Sequence, residues 1–271
     1  MNLITVTNGK FLDRALNLIG SFLEVFPKNE VFLFYFPPIN SEKIEKIEKI
    51  NRLLQVQAVP VDKVCEHAHD PNVFFFKSYA LYQGYLKSKE PVIYLDSAFV
   101  FLRYPDGFLE RLDKYSRVLI PYPQDTNFEN DKLCTEKAFE LLGCTEERYK
   151  KANHYWAAIQ AYKHTDENLA FLQENYNSML NIEIAGPSNL LSFPDGRNSP
   201  AKSHRNDQSV LSILIEKYGY QQPFDEFSQA YCDIDTLLCG YPEKNFSYVA
   251  GKQLYIRGRQ NTTHYIPKEF K

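Results

Sequence analysis

"PVIYLDSAFVF", residues 91–101, is an apolar run whose one charge is the carboxylate of Asp96. Val92-Ile93-Tyr94-Leu95 shows no polar alternation, which is how a strand buried on both faces of a parallel sheet reads. Open α/β sheets bind ligands just beyond the carboxyl ends of their strands, so a carboxylate in that place points to ligand chemistry. An Asp after a strand also starts turns, and both readings stand at this point. Toward the N-terminus, strand and helix patterns alternate. LITVTNG (3–9), EVFLFYF (30–36) and LLQVQAV (53–59) read as strands. Between them, LDRALNLIGSFLEVF (12–26) puts Leu12, Ala15, Leu16, Ile19, Leu23 and Phe26 on one helical face and stops at Pro27. SEKIEKIEKINRLL (41–54) is a surface helix with Ile44, Ile47 and Ile50 inward, and FFFKSYALYQGYLKS (74–88) is the helix that leads into residue 91. This order predicts right-handed βαβ units, hence an α/β protein with a mostly parallel central sheet flanked by helices. Thr7-Asn8, after the first strand, then shares the ligand edge with Asp96.

Beyond residue 101 the pattern is less regular, with Pro105, Pro121 and Pro123 as punctuation. TEKAFELLG (135–143) reads as a short helix, YWAAIQAYK (155–163) as a strand, and TDENLAFLQENYNSML (165–180) as a helix capped by Thr165. A Gly-, Pro-, Ser- and Asn-rich loop over 186–203 has the length of a lid or binding loop. After it, in HRNDQSVLSILIEKYG (204–219), Val210, Leu211, Leu214 and Tyr218 form an apolar stripe, and Gly219 stops the helix. Asp207 precedes that stripe by three and four positions and so shares its inward face. It is either the helix cap or a buried carboxylate with a task.

Bulk numbers exclude several classes. With 31 basic and 34 acidic residues, the formal net charge of −3 argues against nucleic acid as a partner. Met1-Asn2-Leu3-Ile4-Thr5-Val6 lacks the basic start and long apolar run of a signal peptide, and no segment is long enough to span a bilayer. Five cysteines without a CxxC pair fit reduced thiols. The expectation is a cytoplasmic protein whose membrane contact, if any, is peripheral. Neither GxGxxG nor GxxxxGK[ST] occurs, which excludes the usual dinucleotide and P-loop enzymes. HAHD (67–70) lacks the further ligand a zinc site needs.

Two stretches together carry a resemblance. PVIYLDSAFVF, followed about a hundred residues later by HRNDQSVLSILIEKYG, resembles the GT-A-fold glycosyltransferases, in particular a group with a WLDxS-like strand end and an HRxDQSxLSxL helix. The resemblance implies a single GT-A-like domain over 1–271. Residues to about 100 would form a Rossmann-like nucleotide-sugar-binding half, and about 101–271 the acceptor-binding and catalytic half. It implies a transferase moving sugar from a nucleotide-sugar donor to a glycan or glycolipid acceptor, as in polysaccharide biosynthesis, assisted by Mn2+ or Mg2+. Asp96 matches the first acid of the DxD motif, but Ala98 stands where the second acid belongs, so His264 is expected to complete the metal shell. Asp207-Gln208 matches the catalytic pair beside the donor sugar. Thr7, Asn8, Lys77, Asp96, Ser97, Arg103, Arg257 and Arg259 fall to the donor side, and His154, His204 and Arg205 to the acceptor side. The incomplete DxD also leaves room for an inactive member that binds a nucleotide or glycan without turnover.

Overall fold

The computed structural model describes residues 1–101, 105–122, 128–186, 204–225 and 238–239. In chain order the elements are β1 (Asn2–Asn8), α1 (Leu12–Val25), β2 (Val31–Phe36), α2 (Ser41–Glu48), β3 (Leu54–Ala58), α3 (Val61–Val64), α4 (Phe75–Lys87), β4 (Val92–Leu95) and β5 (Val100–Phe101). They continue with α5 (Asp106–Tyr115), β6 (Arg117–Pro121), α6 (Asn130–Leu133), α7 (Glu136–Leu141), α8 (Glu147–Lys151) and β7 (Tyr155–Tyr162). The last are α9 (Asp166–Met179), α10 (Ile182–Ala185), α11 (Asp207–Lys217) and β8 (Leu238–Cys239).

Six strands form one sheet in the order β3-β2-β1-β4-β7-β6. β3, β2, β1 and β4 run parallel, as the strand–helix alternation predicts, whereas β7 is antiparallel to both β4 and β6. The departure from a wholly parallel sheet therefore lies in the second half of the chain. β5 and β8 make a small separate antiparallel pair directly after the Asp96 turn.

Side-chain alternation divides the core between the two faces of the sheet. Ile4, Val6, Phe32, Phe34, Val92 and Tyr94 meet α4, α9 and α11 on one side. Leu3, Val31, Leu33, Ile93 and Leu95 meet α1 and α5 on the other. β1 and β4 are buried on both faces, which is why their sequences read as unbroken apolar runs. Gly84 on α4 lets that helix lie close to β1, since a Cβ there would sit 2.6 Å from Ile4 Cδ1.

The strands diverge in chain order at β1: β2 and β3 lie to one side of it, β4 to the other. That switch point opens a crevice outside the carboxyl ends of β1 and β4. Asp96 follows β4 there, and β7 begins at the same edge, because the backbone N–H of Asp96 donates to the carbonyl of Ala158 at 2.9 Å.

Candidate functional site

Three charged side chains converge at this edge. Lys77, in the first turn of α4, places Nζ 2.9 Å from Asp96 Oδ2 and 3.7 Å from Asp207 Oδ2. The other oxygen of Asp96 accepts a hydrogen bond from Tyr94 Oη at 2.9 Å. Tyr94 and Asp96 are two residues apart in an extended segment and so share a face. The chain enters α4 through Phe74 at φ 60°, an uncommon conformation for a bulky residue, and the Phe74 ring lies 5.0 Å from the Lys77 ammonium.

Asp207 is buried at the start of α11. It is not the cap. Asn206 holds that position at φ 46°, and its amide donates to the carbonyls of Ala185 (3.0 Å) and Gly186 (2.8 Å). Asn206 thereby takes up the local strain and leaves the Asp207 carboxylate free to face Lys77. Burial pushes the Asp207 carboxyl up to about 6; Lys77 opposes that shift, the Asp96 charge adds to it, and a hydrogen bond from the Gln208 backbone opposes it. Beneath the three groups is a cavity lined by Lys77, Ser78, Tyr94, Gln160, Asn175 and Asp207, together with Leu81 and Ala157. Its open space, about 10 Å³ for the centre of a water molecule, is room for one water.

Serines that the sequence reading left unexplained dock α11. Ser209 Oγ donates to Leu133 O at 2.6 Å and accepts from the Arg205 backbone at 2.8 Å. Ser212 Oγ donates to Gln208 O at 2.7 Å and accepts from the Tyr155 backbone at 2.9 Å. The whole of Ser209–Ile215 is buried, so α11 is a core helix and not one with a single apolar stripe.

On the far side of Asp207, Gln208 Nε2 and Arg205 Nη1 both donate to Tyr122 Oη, at 3.1 and 3.2 Å. Tyr122 stacks on Phe128 (centroids 4.3 Å apart) and tilts against Trp156 (5.3 Å), and the Arg205 guanidinium lies 5.2 Å from the Phe128 ring. Sequence reasoning missed Tyr122, which follows Pro121 and precedes Pro123 in a stretch without periodicity. Tyr94 was within reach, two residues before Asp96 on one strand face.

The other candidates are placed as follows. His154 is fully buried with Nδ1 2.9 Å from Asn130 Oδ1, and burial, then Arg205 and His204, hold its imidazole neutral. His154 thus presents no exposed surface among the described residues. His204 is also buried: Nδ1 accepts from the Thr135 backbone at 3.3 Å, and its ring lies where a Cβ on Gly186 would be. Arg205 remains partly exposed. Thr7 and Asn8 shape the turn after β1, with Asn8 Oδ1 accepting from the backbones of Lys10 (3.0 Å) and Phe11 (3.2 Å) and Thr7 Oγ1 donating to Asn8 O. Ser97 sits in the turn after Asp96. Arg103, Arg257, Arg259 and His264 lie outside the described residues.

Mn2+ or Mg2+ prefers six oxygen ligands and tolerates no ammonium among them. Here Asp96 spends one oxygen on Lys77 and the other on Tyr94, and Ala98 offers none. Among the described residues no three acidic, histidine or cysteine side chains group as a metal site would need. The described residues do not fit the metal.

No protein-family profile and no curated protein matches the chain. Solved structures do. An active-site mutant of LgtC is similar at 9% identity over 89% of this chain and 87% of that one, TM-score 0.48. LgtC as a galactosyltransferase with donor and acceptor sugar analogs is similar at 11%, over 98% and 95%, TM-score 0.45. Mouse xyloside xylosyltransferase 1 is similar at 12%, over 81% and 83%, TM-score 0.44. These neighbours are GT-A-type glycosyltransferases.

Proposed function

We propose that the chain is a glycosyltransferase that moves a sugar from a nucleotide-sugar donor to a glycan or glycolipid acceptor. The observation that carries this reading is one ammonium held between two carboxylates at the sheet's switch point. One carboxylate comes from a strand end and the other from the buried start of a helix. A departing nucleoside diphosphate needs positive charge beside it, and an oxocarbenium-like sugar needs negative charge on the opposite side. In this reading Lys77 faces the diphosphate and Asp207 faces the anomeric carbon. Asp96 fixes Lys77, and Gln208 with Tyr122 and Arg205 borders the acceptor. Arg103, Arg257 and Arg259 are assigned in this reading to the same donor side, as further positive charge for the diphosphate. A non-catalytic nucleotide or glycan binder is the second reading, favoured by Ala98 in place of an acid.

A panel of nucleotide sugars, assayed for nucleoside diphosphate release with mixed glycan acceptors, tests the proposal. One donor is expected to turn over, and Asp207→Asn to slow it by roughly 10²–10⁴-fold, the range for a positioned catalytic group, with donor affinity little changed. An unaltered rate in Asp207→Asn removes its catalytic role. No turnover with any donor, while a nucleotide still binds, leaves the non-catalytic reading.

A further inference from the structure

We infer that Lys77 is itself the cation of this site, standing where a divalent metal would stand, so that the chain holds a diphosphate without metal. The inference rests on the nucleotide reading for what the ammonium is used for, but not for whether a metal is excluded. Three observations carry it. Lys77 Nζ lies within ion-pair distance of both carboxylates at this edge, 2.9 Å from Asp96 and 3.7 Å from Asp207. Those distances are ammonium–oxygen contacts, far longer than the roughly 2.0–2.6 Å of a hard divalent cation. The strand end then offers an alanine two residues after Asp96, and Tyr94 Oη already occupies the second Asp96 oxygen. A lysine in that place is also constrained: it stands in the first turn of α4, and the helix starts at Phe74 with φ 60° and its ring against the ammonium.

The chemistry follows from the exchange. An ammonium carries three N–H donors and one charge, so it neutralises a leaving phosphate less than a metal does but needs no uptake from solution. Removing it leaves two carboxylates facing one another, which is a start on a metal site. The Lys77 side chain is therefore both the cation and the gate against another.

Manganese titrations of the unliganded protein, read by electron paramagnetic resonance, test this directly. The wild type is expected to leave Mn2+ free, and Lys77→Ala to bind it at least about tenfold more tightly as the like charge is removed. Lys77→Met keeps the stem and serves if Lys77→Ala does not fold. Lys77→Arg, which keeps the charge, is expected to behave as the wild type. In parallel, UDP, GDP, CDP, ADP and dTDP are each tested for a rise in melting temperature with EDTA or Mn2+. The wild-type rise is expected to survive EDTA, and that of Lys77→Ala to need Mn2+. Tight Mn2+ binding by the wild type that Asp96→Asn removes, or a wild-type nucleotide shift lost in EDTA, overturns the inference. If no nucleoside diphosphate shifts any protein, the nucleotide reading fails, and the manganese titrations alone still decide whether Lys77 excludes the metal.

Discussion

Asp207 links the chemistry of the site to its cost. Its carboxyl is held near 6 chiefly because it is buried, with Lys77 too weak a partner to reverse that. An acid whose folded value lies above its unfolded one binds protons more tightly when folded. Stability therefore falls as pH rises from about 4 through about 6 and is flat above, by up to roughly 3 kcal/mol for a shift of about two units. If the ionised carboxylate is what the reaction needs, kcat/KM rises over the same interval with a midpoint near 6. Activity and stability then move in opposite directions. Asp207→Asn is expected to remove the stability slope in chemical denaturation between pH 4 and 7 and to make the protein more stable at pH 7. A variant as pH-sensitive as the wild type would place the titration elsewhere.

At the scale of elements, the site depends on how closely α4 and α11 approach the sheet. Gly84→Ala would put a Cβ 2.6 Å from the buried, β-branched Ile4, and is expected to lower stability by about 1–3 kcal/mol, the usual cost of overpacking. Because α4 carries Lys77, the same variant is expected to weaken nucleotide affinity more than an equally destabilising change on α1. Urea midpoints set against binding isotherms check this. Within the first hundred residues β1 to β4, α1, α2 and α4 were legible, and the single turn of α3 was not. β1, β2 and β4 are buried runs, α1 and α2 are amphipathic, and Pro27 marks the stop of α1. β6 and α5 were not read. β6 is a five-residue strand ending in Pro121, and α5 follows another proline, so the punctuation hid both. The direction of β7 was beyond the sequence, since a strand buried on both faces carries no mark of orientation. Of the site, Asp96 and the inward face of Asp207 were visible from strand end and spacing, and Lys77 only through the resemblance. Asn206 as the cap and Tyr122 as the partner of Gln208 were not, because each depends on contacts with chain far away in sequence.

For the whole molecule, both halves of the chain feed one sheet: the crevice opens between β1 and β4, and the second half joins beside it where β7 pairs with β4. No helix among the described residues is long and apolar enough to cross a membrane. β8 returns the chain to β5, within a few residues of Asp96. The proposed function requires a diphosphate to bind in this crevice. The most direct measurement is isothermal titration of UDP, GDP, CDP, ADP and dTDP into the wild type and Lys77→Met. Lys77→Met keeps the stem and removes the ammonium that lies between Asp96 and Asp207, and both proteins are to be shown folded by circular dichroism. The account predicts that one diphosphate binds the wild type and that Lys77→Met weakens it at least about tenfold, the loss of a charge-assisted contact. Equal affinity in the two proteins, or no binding of any of the five to the wild type, would contradict it.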